Sequence, residues 1–166
     1  MADGRVFHAT RDGIHVLRFV GDIRYTLSPS IDLFLKEIFS ASPPPAGFLI
    51  DLTETDGIDS TNLGLLARIA KAMKHLNGSR VTIVSDRAEI NSVLTSMAFD
   101  EVFDIVSDVS LERGTEQELD QQNADKTALS RTILETHQAL MELSERNQEM
   151  FCNVVTALEK SMGEDG

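Results

Sequence analysis

The sequence predicts an α/β domain built on a mixed β-sheet of about four to five strands with helices packed on it, followed by a long C-terminal α-helix. Two β-rich runs flank an Asp-Gly turn, apolar strands then alternate with amphipathic helices, and apolar residues recur at helical spacing near the C-terminus. We therefore expect a domain over residues 1–110, a polar linker over 111–125 and an amphipathic helix over 126–162.

The N-terminal β-rich runs predict a hairpin. Residues 6–10 and 14–20 are rich in β-branched and aromatic side chains, and the Asp-Gly pair between them is typical of a tight turn. His8 and His15 lie on these strands. We expect both at the face or edge of the sheet, without a nearby partner and without a catalytic role.

Helices and strands alternate through the rest of the domain. A Ser-Pro pair at residues 28 and 29 is typical of a helix start, and the prolines at 43–45 fit a short connection to the next strand. That strand is an apolar run at 48–52, as expected of a strand buried on both faces. Further strands at 80–84 and 102–106, with helices between them, imply a mixed sheet.

The sequence is organised around the turn that follows the 48–52 strand. Asp59, Ser60, Thr61 and Asn62 are candidate caps for a helix whose apolar positions begin at Leu63. A hydroxyl therefore lies at a helix N-terminus, where backbone N–H groups and the helix dipole can accept a phosphate. Simple capping of the helix is the alternative interpretation of the same residues.

Composition excludes several classes of function. The formal net charge is −12, and no Lys/Arg-rich run is present, which argues against electrostatic binding to nucleic acid or to an anionic membrane. Cys152 is the single cysteine, so it forms no intrachain disulfide, and no zinc-type spacing is present. No apolar run reaches the roughly 20 residues of a membrane span. We expect a cytoplasmic protein without a metal or other cofactor.

The segment DGIDSTNLGLL resembles the signature of STAS domains, in particular that of bacterial anti-sigma factor antagonists. The family pattern is roughly Asp-Ser-Ser/Thr-Gly-Leu-Gly, and residues 59–64 read Asp-Ser-Thr-Asn-Leu-Gly. Asn62 therefore stands where the family usually has its first glycine. The resemblance covers about residues 5–108, and the order of predicted elements is similar to the STAS fold.

A second departure from the family lies in the loop after the second strand. The family usually has Gly-Glu-Leu/Ile-Asp there, whereas residues 21–24 read Gly-Asp-Ile-Arg. Arg24 thus replaces an acid that in the resembled proteins lies near the phosphorylation site. Either Arg24 changes how a phosphate is tolerated or a partner is chosen, or it is a simple surface arginine.

The resemblance implies a phosphorylation-gated antagonist. Ser60, or alternatively Thr61, would be modified by a serine kinase and restored by a phosphatase, and the unmodified protein would bind an anti-sigma factor. A phosphate beside Asp56 and Asp59 would add about −1.5 to −2 charge and repel that partner. The partner-binding residues would be Asp22, Arg24, Asp56, Asp59, Thr61, Asn62, Leu63 and Gly64.

A second class of function is a scaffold subunit of a protein or transporter complex, in which Ser60 contacts a partner helix without being phosphorylated. Catalysis is not expected, because Ser60 lies outside a Gly-x-Ser-x-Gly elbow and the sequence positions no histidine as its base. We expect no catalytic residues.

The C-terminal helical pattern carries an apolar stripe that Thr136 and Asn147 interrupt. Packing against the domain, dimerisation and docking of a further partner remain open for this helix. A single helix over this span would measure about 50 Å, longer than the domain is wide, so a homo-oligomer or a partner helix is weighed evenly with packing on the domain. His137 and Cys152 are expected to serve packing.

Overall fold

The computed structural model describes residues 3–109 and 114–165, and for Glu164 and Asp165 it describes the backbone alone. Its elements in chain order are β1 (Arg5–Arg11), β2 (Ile14–Ile23), α1 (Ser28–Ser40), β3 (Gly47–Ile58), α2 (Ser60–Leu76), β4 (Val81–Val84), α3 (Ala88–Ser96), α4 (Phe99–Val102), β5 (Phe103–Val106), β6 (Gln117–Glu118), α5 (Lys126–Met141) and α6 (Glu145–Asp165). A short 3-10 turn, Tyr25–Leu27, precedes α1.

The six strands form one mixed sheet in the order β5-β4-β3-β2-β1-β6. Strand β1 is antiparallel to β2 and to β6, whereas β2, β3, β4 and β5 are mutually parallel neighbours. Both the predicted fold class and the predicted alternation of elements are confirmed. The sixth strand is additional, because β6 comes from the segment that the sequence predicted to be a linker.

The N-terminal hairpin has the predicted Asp-Gly turn. Arg11 pairs with Ile14, and the two residues between them, Asp12 and Gly13, have φ values of 53° and 80°. A type I′ turn requires positive φ at both central residues, which glycine adopts freely and aspartate tolerates. Local turn chemistry therefore sets the register of the hairpin.

His8 and His15 do interact, so the expectation that they lack partners was wrong. His8 Nε2 lies 2.8 Å from His15 Nδ1, and the His8 ring packs edge-on against Phe34. Thr10 is directly opposite His15 in the hairpin, and alternate residues of a strand share a face, so His8 is the diagonal neighbour of His15. Both imidazoles are half-buried on the core side of the sheet edge.

Helices α1, α2 and α3 lie on one face of the sheet. The connections from β2 to β5 step in one direction along the sheet, and right-handed crossovers then place every intervening helix on the same side. The core lies between this face and the helices, and its fully buried members include Leu17, Ile50, Leu65, Ile69 and Ile83.

The predicted linker is attached to the sheet, although residues 111–113 lie outside the described residues. Glu116 pairs with Arg18 on β2 at 2.9 Å. Strand β6 then pairs with β1, and Glu118 receives two hydrogen bonds from the Arg5 guanidinium, of 2.8 and 2.9 Å. This segment therefore carries the chain to the β1 edge of the sheet instead of forming a flexible or helical linker.

The predicted helix over 126–162 is divided into α5 and α6, which we call the C-terminal hairpin. Ser144 starts α6, because its hydroxyl accepts a 3.0 Å hydrogen bond from the Asn147 backbone N–H, as an N-cap does. α5 packs against α2, and α6 packs back against α5. Of the arrangements left open by the sequence, the structure has the hairpin packed on its own domain. A homo-oligomer remains a prediction.

The His8–His15 pair predicts a specific loss of stability in acid. Burial, together with the nearby His15, lowers the pKa of His8 from 6.5 to about 4. The unfolded chain therefore takes up a proton below about pH 6.5 that the folded chain takes up only near pH 4, so folding stability falls across this window. We expect the urea midpoint to fall less in His8→Gln than in the natural protein over the same range. Parallel pH profiles for the two proteins would contradict this.

Candidate functional site

The motif lies where β3 ends and α2 begins. Asp59 is the N-cap of α2, and its Oδ1 accepts a 3.0 Å hydrogen bond from the backbone N–H of Asn62. The Asp59 N–H in turn donates to the carbonyl of Ile23 at 3.1 Å, which ties the cap to the end of β2. The predicted cap is thus present, and Ser60 is the first residue of the helix.

Asn62 is buried inside the domain with 1% of its surface exposed. Its Nδ2 donates to Asp59 Oδ1 at 2.9 Å, so the same carboxylate oxygen binds both the backbone and the side chain of Asn62. Its Oδ1 has no hydrogen-bond partner among the described residues. In place of the family glycine, Asn62 therefore reinforces the cap of α2 and is turned away from the surface.

Ser60 is hydrogen bonded to a residue far along the chain. Its Oγ lies 2.9 Å from His137 Nε2 of α5, while His137 Nδ1 lies 2.6 Å from the carbonyl oxygen of Ile133. A carbonyl oxygen can only accept, so Nδ1 carries a proton, and in the neutral imidazole Nε2 then accepts from the serine hydroxyl. His137 is 5% exposed and contacts the edge of the Phe151 ring. The expected packing role of His137 thus includes a direct contact with Ser60.

The closest approach between α2 and α5 is at Gly64. A Cβ atom at this position would overlap the carbonyl oxygen of Thr136 and would lie 2.5 Å from the Thr136 Cβ. Only glycine lets the two helices approach this closely. Thr136, which interrupts the apolar stripe in the sequence, is therefore the residue over which α5 crosses α2.

Asn147, the second interruption of the stripe, fixes the other end of the hairpin. Its Nδ2 donates to the carbonyls of Met97 and Leu140, each at 2.9 Å, and the residue is fully buried. It thereby joins α6 to the end of α3 and to α5. Two polar residues that weaken the helical stripe thus specify how the hairpin docks.

The acidic residues around the motif are paired with arginines. Arg24 Nε lies 2.8 Å from Asp22 Oδ2, and this hydrogen bond raises the pKa of Arg24. Arg87 donates to Asp56 Oδ1 and to the Thr55 carbonyl, each at 2.9 Å. Sequence analysis missed Arg87, although it follows β4 and the carboxyl ends of parallel strands meet at one edge of a sheet.

The predicted site residues therefore divide into two groups. The first group lies near the carboxyl ends of β2 and β3 or at the start of α2 and is at least partly exposed: Asp22, Arg24, Asp56, Asp59 and Ser60. The remainder are buried beneath the surface: Thr61, Asn62, Leu63 and Gly64. The second group is thus not exposed to an external partner in this structure.

A serine hydrogen bonded to an oriented histidine also resembles a nucleophile with its base. The four clefts of about 220–460 Å³ found among the described residues are lined by neither Ser60 nor His137.

Among the residues that the structure describes, no group of three or more His, Cys, Asp or Glu residues could hold a metal ion. No helix in the described part has the length and apolar character needed to cross a bilayer.

Comparison with known proteins identifies the family. A sequence model of the STAS domain matches residues 8–111, more than half of the chain. The chain belongs to the STAS domain family. The STAS domain thus contains the sheet up to β5 together with Ser60, and the C-terminal hairpin lies outside it. No curated protein matches the sequence significantly.

The cap of α2 gives a stability prediction. Asp59→Ala removes the carboxylate that accepts hydrogen bonds from the Asn62 backbone N–H and from its Nδ2, and the buried Nδ2 is left without an acceptor. We therefore expect the free energy of unfolding to fall by about 1–2 kcal/mol. Asp59→Asn keeps a carbonyl acceptor at the same place and should lose less. Urea denaturation measures both. Unfolding of Asp59→Ala at the natural midpoint would show that the cap contributes little.

Proposed function

We propose that this STAS domain is an anti-sigma factor antagonist of a bacterial partner-switching system, in which phosphorylation of Ser60 gates binding to an anti-sigma factor. The observation that carries the proposal is the position of Ser60, in the family motif and at the capped start of α2. Ser60 is partly exposed, whereas Thr61 is 5% exposed, so Ser60 is the better acceptor. The function requires a cytoplasmic location and no catalysis by this chain.

The chemistry is a reversible phosphoryl transfer carried out by other proteins. A serine kinase would join the γ-phosphorus of a nucleoside triphosphate to Ser60 Oγ, with release of the diphosphate and loss of the hydroxyl proton. A phosphatase would direct water at the same phosphorus and return the hydroxyl with inorganic phosphate. This chain contributes the Ser60 hydroxyl that accepts the phosphoryl group and the surface that the anti-sigma factor would bind.

Local electrostatics support a gate at this position. A phosphate on Ser60 would lie at the N-terminus of α2, where the helix dipole favours an anion, and would add about −1.5 to −2 charge next to Asp59. Asp22 and Asp56 are already paired with Arg24 and Arg87. Arg24 is largely exposed and also interacts electrostatically with Asp59, which supports a role for this arginine in tolerating the phosphate.

A non-phosphorylated scaffold subunit is the second candidate, and one observation favours it. Thr61, Asn62, Leu63 and Gly64 are buried, and Ser60 is engaged by His137. A motif that serves only to dock the C-terminal hairpin would show the same contacts. The two candidates differ in whether Ser60 ever carries a phosphate.

Intact-mass analysis separates the two candidates. Protein isolated from the native host without its phosphatase should carry one phosphate, which phosphatase treatment removes, and the Ser60→Ala protein should carry none. Thr61→Val should still be modified, because Thr61 is buried. Unmodified protein under every growth condition would favour the scaffold.

Gating itself is tested by binding to the host anti-sigma factor. We expect Ser60→Glu to weaken binding at least tenfold, about 1.4 kcal/mol, while Ser60→Ala retains natural affinity. Ser40→Glu is the matched control, because Ser40 is exposed at the end of α1 and gains the same charge away from the motif. Titration calorimetry measures each affinity. Equal dissociation constants for all three variants would rule out the gate.

A further inference from the structure

We infer that the C-terminal hairpin is an intramolecular inhibitor of this site, and that its docking on α2 and the phosphorylation of Ser60 exclude each other. The nature of the modification rests on the proposed function. The occlusion itself rests on contacts between α2 and α5 that are independent of any partner.

Space at Ser60 is the first support for this inference. Ser60 Oγ is 2.9 Å from His137 Nε2, so the imidazole occupies the position that a phosphoryl group on Oγ would need. The imidazole cannot simply turn aside, since its Nδ1 is bonded to Ile133 and its ring packs on Phe151. A phosphate on Ser60 Oγ in this rotamer therefore requires α5 to move away, and any other rotamer breaks the bond that joins α2 to His137.

Charge acts in the same direction as space. The docked His137 is buried, and in the neutral imidazole its Nε2 accepts from the serine and offers no proton to a phosphate. A doubly charged group in this contact would be partly desolvated beside the Asp59 carboxylate, which is unfavourable while Arg24 stays paired with Asp22. Phosphorylation therefore favours the undocked hairpin, and by linkage the docked hairpin disfavours phosphorylation. The phosphate still repels the anti-sigma factor after the hairpin has left, so the form that binds is the undocked and unmodified chain.

The second support is the identity of a residue that the hairpin covers. Gly64 is a motif residue to which the family resemblance assigns partner binding, and it is buried where Thr136 of α5 lies against it. Glycine inside a helix costs about 1 kcal/mol relative to alanine, yet an alanine at position 64 would overlap Thr136. The hairpin thus uses the close-approach position of the motif for itself.

The connections allow the hairpin to leave without unfolding the sheet. Residues 120–125, between β6 and α5, are exposed, and the Gln122 N–H donates to Ser30 Oγ of α1 at 2.8 Å, so α5 can separate while β6 stays paired with β1 and Gln122 stays bonded to Ser30. The ion pairs across the α2–α5 contact, such as Lys71 with Glu142 at 2.8 Å, are exposed and therefore weak. Docking depends mainly on buried side chains, including Leu140, which is fully buried.

Thiol protection tests the inference in the full chain. In a Cys152→Ser background, Ser60→Cys places the only thiol at the covered position, and a maleimide is the probe. We expect slow labelling that Gly64→Ala accelerates at least tenfold, because the added methyl displaces α5 while it favours the α2 helix. Gly163→Ala is the matched control, since nothing lies within 4 Å of its added Cβ.

A second pair of variants makes no change in the STAS domain beyond the Ser60→Cys label. Leu140→Asp introduces a charge at a fully buried position of α5, whereas Val154→Asp does so at a position of α6 that is 43% exposed. The first should accelerate labelling of Ser60→Cys at least tenfold and the second should not, with amide protection of β3 retained in both. If the Ser60→Cys parent is labelled as fast as the same protein carrying Gly64→Ala or Leu140→Asp, the inference is overturned.

Hydrogen exchange tests mutual exclusion. In the otherwise natural chain, Ser60→Glu should speed amide exchange across α5 and α6 at least tenfold relative to Ser60→Ala. Equal exchange in the two variants would overturn mutual exclusion. Neither the labelling nor the exchange experiment uses the anti-sigma factor or a kinase. A negative result in the binding assay therefore contradicts the proposed function alone, and a negative result in labelling or exchange contradicts the inhibitory role of the hairpin alone.

Discussion

Strand β3 determines the position of the functional residues. It is paired with β2 along one edge and with β4 along the other, and its residues Ile50 and Leu52 are fully buried. Because its pairing with β2 continues to Ile58 and its inner face is packed in the core, the point at which it leaves the sheet is fixed. Asp59 and Ser60 follow directly, so the rigid core of the domain sets where α2 starts.

Local sequence signals predicted the elements that depend on short-range chemistry. The Asp-Gly hairpin, the buried strand and the capped start of α2 were each evident because the responsible residues are adjacent in the chain. Strand β6 was missed, since two polar residues carry no pattern and pair only when β1 is already in place. The division of the C-terminal helix was missed although Ser144 has the side chain of a cap.

The site was predicted less completely than the fold, for a physical reason. The motif gave Ser60 and its cap, but its contact with His137 joins residues 77 positions apart, and no periodicity reports such a distance. The substitution of Asn62 for glycine suggested an altered recognition surface. In the folded chain this asparagine is buried and donates a hydrogen bond to Asp59. Of the two departures from the family pattern, only Arg24, which pairs with Asp22, is therefore at the surface.

The attachment of residues 116–118 to β1 and β2 has a consequence for any competitor of the hairpin. Through β6 and the Arg5–Glu118 and Arg18–Glu116 pairs, the hairpin remains tethered beside α2 even when it is undocked. A short tether of this kind gives an effective local concentration in roughly the millimolar range. Weak docking is therefore sufficient to keep the site occupied, and a protein that binds there must have an affinity high enough to offset that concentration.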